Sequence, residues 1–426
     1  MKIVLVFQFN AIIFSFLLFN IINCQSFQIE QSIKDEIKTY LSLNKEQKLL
    51  PNRNFTKPEK VKISIIIPIY NNENTLIPTI RSIQNQNLQE IEIICINDKS
   101  NDTSLKKLKT LQKEDSRILI LRNKSNRGLL YNYMNGALES NGEYILFIYP
   151  GDYLPNSNTL NKLYEISTKD YNKKLDIVNF QSCEFQMIND DIQINSIISK
   201  IDKENTKKLI KQPNIVETFY NQYKTKNKIN SEIIFDKIYS KRLIKRLANY
   251  IGPNIWNLNI NYYFEYLLDF SNIIKSKSLV YIEDIFYCRS SNNQIQETFE
   301  VVDDKLKNPV KINKIFGDYM IVVERLLELT EKESKANEYR EFILKKLEEE
   351  NILKALSMSI HYDAYLRLLG KLIKWKFVDK EIKERCQEYV KKVLNFEVDS
   401  EIKFGYMLEE EDEDDDFDDL NDNDYL

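Results

Sequence analysis

Ser64-Ile65-Ile66-Ile67-Pro68-Ile69-Tyr70-Asn71 is the stretch that decides the fold. Val61-Lys62-Ile63 precedes it, so the apolar, β-branched run is nearly continuous. Such a run reads as a strand buried on both faces. Pro68 is expected to end it, leaving Tyr70 at the strand's mouth. The pattern then repeats. Ile91–Ile96, Ile118–Leu121 and Tyr144–Tyr149 read as three further strands, and Asn74–Gln86, Ser104–Lys113 and Leu129–Ser140 have helical spacing. Strands alternating with helices make a mostly parallel α/β sheet with flanking helices. Ligands of such sheets bind beyond the carboxyl ends of the strands. The loops after Ile67, Ile96, Leu121 and Ile148 are therefore expected to converge on one cleft.

Composition narrows the chemistry. Of 426 residues, one is His (His361). Zinc sites built on several histidines and HExxH helices are excluded, and a Ser-His-Asp triad would need that one residue. Catalysis must rest on carboxylates, Lys, Arg, hydroxyls and main-chain groups. The net charge of −4 averages two unlike parts. Residues 409–426 hold twelve acidic residues and no basic one, which leaves 52 acidic against 60 basic residues before them. A basic body of +8 suits a polyanion such as a nucleotide diphosphate. No Arg-rich run with interleaved aromatics is present, so no nucleic acid partner is expected.

The chain divides into five parts. Met1-Lys2 followed by the apolar Ile3–Ile22 and Cys24 has the form of a secretory signal peptide. At ~20 residues the stretch is also long enough to span a bilayer as a single N-terminal anchor. Residues 1–24 are assigned to it, with the secretory pathway as expected location: lumen, membrane-anchored or secreted. Residues 25–60 form a stem with a short helix near Ile29–Leu43. Residues 61–300 are the α/β domain. Residues 301–408 form a helical module (Phe316–Leu329, Asn337–Leu356, Lys380–Leu394), and 409–426 an acidic tail expected to be solvated. Sequons stand at Asn54, Asn101 and Asn123. The five cysteines, Cys24, Cys95, Cys183, Cys288 and Cys386, match no metal spacing and define no unique pairing.

The loops at the strand ends carry the candidate site. Tyr70 offers a flat ring for a nucleobase. Asp98 ends its strand with a carboxylate able to accept hydrogen bonds from a base or ribose. Asp102 and Thr103 suit a helix cap. Arg127 is placed to meet phosphate, and Gly128 lets backbone come close to a ligand. Tyr149-Pro150-Gly151-Asp152 supplies one carboxylate where a diphosphate would lie.

These residues resemble the nucleotide-sugar-binding half of family 2 glycosyltransferases, which have the GT-A, Rossmann-like fold. The resemblance runs through Ser64–Asn71, Ser82–Gln86, Glu92–Asp98, Asn126-Arg127-Gly128 and Gly142–Phe147. It continues more weakly through Phe235–Leu243, and through Tyr281–Arg289, a closing strand ending in an aromatic and an Arg. It implies that Pro68, Tyr70 and Glu73 line the donor's base pocket and that Asp98 binds base or ribose. It implies further that Asp152 is the retained ligand of a divalent cation, Mn²⁺ or Mg²⁺, on the donor diphosphate. A carboxylate base would deprotonate the acceptor hydroxyl, with inversion in one displacement.

Three departures qualify this. The family's Asp-x-Asp-Asp metal motif is reduced to Asp152. The Arg-Asn pair expected in the helix after Gly128 is Tyr133-Met134. The acidic pair that holds the base falls at Ile260-Asn261; Glu265, with Asp269 one turn on, is the candidate for a displaced base. Two functions follow. One is a glycosyltransferase moving a sugar from a nucleotide-diphosphate donor, a UDP-sugar first, to a hydroxyl on a glycan, glycoprotein or glycolipid. The other is a catalytically inactive GT-A domain that binds a nucleotide sugar or glycan. A nucleotidyltransferase is disfavoured, because Pro68–Asn74 contains neither Gly nor a basic residue for a phosphate loop.

Overall fold

The computed structural model describes residues 31–35, 37–38, 55–168, 174–188, 191–197, 206–218, 234–291, 301–302 and 305–306, and ten positions between 314 and 333. The segments 1–24, 337–356, 380–394 and 409–426, read above as leader, helices and tail, lie outside them. Among the described residues no helix is long and apolar enough to cross a membrane.

Strands β1 (Ile63–Ile69), β2 (Ile91–Asn97), β3 (Ile118–Arg122) and β4 (Tyr144–Phe147) are linked by helices α1 (Leu76–Gln84), α2 (Ser104–Glu114) and α3 (Leu129–Glu139). All four strands are parallel, in the order β3-β2-β1-β4. Every residue of β1, β2 and β4 is buried, as an uninterrupted apolar run requires of a sheet covered on both faces. Pro68 does not end β1 but lies inside it, opposite Ile96. The reason is local. β4 pairs with β1 only as far as Ile66, so beyond that point one side of β1 is free of ladder bonds and a residue without N–H is tolerated.

Motif residues that look conversational in sequence are tied together here. Ser64 Oγ donates to buried Glu92 (2.5 Å) and accepts from Gly142 N (2.7 Å). A Cβ at Gly142 would stand 2.4 Å from Ser64 Oγ, so this close approach admits only glycine.

The sheet continues after α4 (Thr159–Thr168) with β5 (Ile177–Ile188), β6 (Asp191–Ile197), β7 (Leu209–Lys211), β8 (Lys237–Ser240) and β9 (Ser278–Ser290). β8 enters antiparallel between β4 and β5, and β9 pairs parallel with β5 and antiparallel with β7. Helices α5 (Lys241–Ile251), α6 (Pro253–Trp256) and α7 (Phe264–Lys275) complete this half. The sheet is thus mostly parallel with antiparallel insertions, and helices flank it. Helical residues of the stem, Ile33 and Ile37, are buried in a cluster with Tyr153, Phe185, Ile192, Cys183 and Cys288. The two cysteines are register partners whose sulfurs lie 2.8 Å apart.

Two buried charge centres anchor the second half. Asp176 is fully buried and accepts from Ser240 Oγ (2.9 Å), Arg242 Nε (2.9 Å), Arg246 Nη2 (2.6 Å) and Lys277 N (2.8 Å). Burial alone would raise its pKa; the Lys277 N–H and the two guanidiniums outweigh it and hold the carboxyl below its usual range. A depressed carboxyl contributes stability that is complete above the unfolded pKa of about 4 and is lost as pH falls through the lower, folded value. The gap in urea midpoint between wild type and Asp176→Asn is therefore expected to stay constant from pH 7 to about 5 and to close below about 4. A gap independent of pH would show that the carboxylate's charge is irrelevant. The second centre is Lys237, whose Nζ lies 2.8 Å from Asp236 Oδ1 and 3.2 Å from Asp269 Oδ1, all three side chains being almost wholly buried.

Residues from 297 onward form a separate compact unit. It contains a two-strand pair, β10 (Val301–Val302) with β11 (Lys305–Leu306). Within the expected Phe316–Leu329 helix, every described position is helical, and Val322, Leu326 and Leu329 are buried.

Candidate donor-binding and transfer site

The carboxyl ends of β1 and β2 open onto a cavity of about 260 Å³ whose wall includes Pro68, Tyr70, Asp98, Asn126, Tyr149 and Tyr262. Tyr70 projects at its rim, 49% exposed, the most exposed large aromatic among the described residues. Asn71, at φ 54°, turns the chain sharply there.

Asp98 is buried, and its carboxylate organises the opposite wall. Oδ1 accepts from Asn123 Nδ2 (2.7 Å) and Arg127 N (2.7 Å), and Oδ2 from Gly128 N (3.0 Å). Asn123 Nδ2 also donates to Asn132 (2.7 Å), so the third sequon's amide is engaged inside the protein. Gly128 has φ 79°, and a Cβ there would lie 2.6 Å from Asn259 Oδ1 and 3.0 Å from Ile260 N. What comes close to this glycine is protein, the Asn259 side chain and the Asn259–Ile260 backbone. The same segment covers the amino end of α3: Leu129 N donates to Asn261 Oδ1 (3.1 Å) and Leu130 N to Ile260 O (3.0 Å). Asn261, where an acidic residue was expected, is thus a tie between the two halves of the domain. Sequence reasoning gave it no role.

Two candidates face elsewhere. Glu73 accepts from the N–H and hydroxyl of Thr103, while Glu73 N donates to Asp102 Oδ2 (3.0 Å) and Ser104 N to Asp102 Oδ1 (2.9 Å). These reciprocal bonds fasten the β1–α1 loop to the start of α2. The Thr103 hydroxyl and N–H hold the Glu73 carboxyl below its usual range. Arg127 lays its guanidinium over Tyr131, 4.3 Å from the ring centre, and donates to Asn257 O (3.1 Å).

The loop after β4 reaches the cavity through Tyr149 and is tied to the end of β9. Asp152 is 1% exposed; Oδ2 accepts from Tyr287 Oη (2.6 Å) and Oδ1 from Ser290 N (3.0 Å). Tyr149 N donates in turn to Tyr287 Oη (3.1 Å). Glu265 sits half-buried in the first turn of α7. Burial, then Asp152, Glu265 and Tyr262, push the Tyr149 hydroxyl up to about 12, with Arg289 pulling the other way. The charges of Glu265 and Arg289 thus act on this cavity-lining phenol in opposite directions. Asp269, one turn from Glu265, is committed to Lys237.

The described residues at this site do not fit a divalent cation. Among the described residues no group of three or more His, Cys, Asp or Glu is placed to hold one. Asp152, the expected ligand, is sealed from solvent with both oxygens already accepting hydrogen bonds.

Residues 64–248 match the sequence profile of Glycosyl transferase family 2. This stretch is a family 2 glycosyltransferase domain. The domain is 36% identical over 110 residues to poly(ribitol-phosphate) beta-glucosyltransferase of Bacillus spizizenii, covering 25% of this chain and 17% of that protein. It is 34% identical over 111 residues to GalNAc(5)-diNAcBac-PP-undecaprenol beta-1,3-glucosyltransferase of Campylobacter jejuni, covering 26% and 36%. The matched stretch thus spans about a sixth of the first relative and little more than a third of the second. The crystal structure of S. aureus TarS 1-349 superposes with a TM-score of 0.51 at 15% identity, over 77% of this chain and 83% of that one. At that identity the likeness establishes the GT-A fold of the domain and no more.

Proposed function

We propose that the domain is an active glycosyltransferase that moves a sugar from a nucleoside-diphosphate donor to an acceptor hydroxyl. The observation that carries this is the cavity at the ends of β1 and β2, with an exposed ring at its rim and a wall fixed by Asp98. UDP is the favoured nucleotide, since TarS 1-349 has also been solved in complex with UDP, with a TM-score of 0.51 to this chain at 13% identity. The names of the two relatives above share transfer of glucose but differ in acceptor. The acceptor is therefore described only by its chemistry, a hydroxyl on a glycan, glycoprotein or glycolipid.

In the proposed reaction Glu265 takes the acceptor proton as the acceptor oxygen attacks the anomeric carbon. The bond from that carbon to the diphosphate oxygen breaks on the opposite face, with inversion, and the nucleoside diphosphate leaves carrying the bonding pair. Tyr70 stacks on the base, and the Asp98-held wall cradles base and ribose. The basic body favours an anionic donor. The apolar Ile3–Ile22 run supports work in the secretory pathway, behind a cleaved leader or on a single anchor.

Titration of the full chain with UDP, together with release of sugar from a panel of UDP- and GDP-sugars, tests the reading. UDP binding with slow donor hydrolysis, lost in Glu265→Gln without loss of UDP affinity, is expected. Binding with no turnover on any donor or acceptor would favour a nucleotide-sugar-binding module, and no binding of any nucleotide would remove the proposal.

A further inference from the structure

We propose that the guanidinium of Arg289, rather than a divalent cation, holds the donor's diphosphate and takes up the charge that develops as it leaves. This rests on the glycosyltransferase reading above and assigns a chemical means to it.

The first support is the poverty of the acidic set. A dication on a diphosphate needs hard oxygen ligands facing solvent. The loop after β4 supplies one carboxylate, and that one serves to pin Ser290 and Tyr287. The second support is the place of Arg289. In a strand, alternate side chains share a face. Cys288 points into the cluster with Cys183 and Ile37, and Tyr287 points the other way, to Asp152. Arg289 therefore returns to the Tyr287 face, one residue before the amide that holds Asp152. That face reaches the cavity through Tyr287, whose hydroxyl accepts from Tyr149 N (3.1 Å), and Tyr149 lines the cavity; the Arg289 charge also draws the Tyr149 hydroxyl's pKa downward. The third support is its engagement. The other cations nearby are spent: Arg127 on Tyr131 and Asn257, and Lys237 on Asp236 and Asp269. The half-buried Arg289 guanidinium makes no hydrogen bond or ion pair with any described residue.

Chemistry supplies the rest. Cleavage of the glycosyl–phosphate bond leaves one further negative charge on the diphosphate. A guanidinium presents paired N–H donors that match two phosphate oxygens. Fixed beforehand at a partly desolvated site, it stabilises that charge without reorganising. Charge neutralisation, the task a metal ion performs elsewhere, is then built into β9.

Calorimetric titration of the full chain with UDP and with uridine, in EDTA and in Mn²⁺, tests the assignment. Wild-type affinity for UDP is expected to change less than about twofold between EDTA and Mn²⁺. Arg289→Gln is expected to weaken UDP by about tenfold or more while leaving uridine unchanged, because the lost contact is a charge-assisted pair to phosphate. Arg289→Lys, which keeps the charge but not the fork, should fall between. UDP binding that requires Mn²⁺, or that is indifferent to Arg289→Gln, would overturn the assignment and leave the donor reading standing. Failure of both UDP and uridine to bind would remove both. Should Arg289→Gln not fold, the Lys variant decides: equal losses for UDP and uridine would make Arg289 structural and overturn the proposal.

Discussion

Replacing Lys237 by Met is expected to cost about 3–5 kcal/mol of folding stability, the usual penalty for leaving buried charge without its partner. The ammonium sits between Asp236 on the turn before β8 and Asp269 on α7. Burial acts against the charged amine, but the two carboxylates outweigh it and hold the Lys237 pKa above its ordinary value. Removing the amine leaves two carboxylates facing a methyl group in a site from which water is excluded. Urea unfolding at neutral pH reads the loss directly. A second variant identifies its cause. Adding Asp236→Asn and Asp269→Asn to Lys237→Met neutralises the whole centre, and most of the lost stability should return. A cost below 1 kcal/mol for Lys237→Met would mean that solvent reaches the centre.

Asp98→Ala is expected to abolish UDP binding at millimolar nucleotide and to cost about 3 kcal/mol, since it removes one buried acceptor and strands three donors. The reasoning separates contact from position. Both carboxylate oxygens are committed to Asn123, Arg127 and Gly128, so the side chain acts on a ligand by fixing the Asn126–Leu129 wall. Asp98→Asn keeps one acceptor but turns an amide donor towards one of these N–H groups, and should give an intermediate loss of both quantities. The two readouts must move together across the variants. Full stability with lost affinity would make Asp98 a direct ligand of the base or ribose instead.

The first half of the fold was legible because its strands are buried on both faces and therefore spell themselves as unbroken apolar runs. Ser64–Asn71 and Glu92–Asp98 fall where expected, shifted at most by the two residues that Pro68 adds to β1. The site was legible as a set of loops but not as a set of roles. Asp98, Glu73 and Arg127 are polar residues at strand ends, and spacing cannot tell whether such groups face a ligand or a neighbouring loop. The structure turns Glu73 towards Thr103 and Arg127 towards Tyr131. Asn261 escaped notice because its partner, Leu129 N, is 132 residues away, and no local pattern encodes such a bond. Arg289 was visible only as the end of a motif. Its place in the sheet, opposite Glu184, depends on the pairing of β9 with β5, which is again long-range.

That pairing sets the order in which this protein can be made. The final strand of the domain is not at the sheet's margin; β9 inserts between β5 and β7, with Leu279 opposite Ile177, a hundred residues earlier. Until residue 290 has left the ribosome, β5 presents one bare edge, and the tie from Ser290 to Asp152 does not exist. At ordinary synthesis rates that is about 5–20 seconds during which an apolar edge needs shielding. A fragment cut at 248, where the family match ends, would keep that bare edge permanently and should aggregate rather than fold.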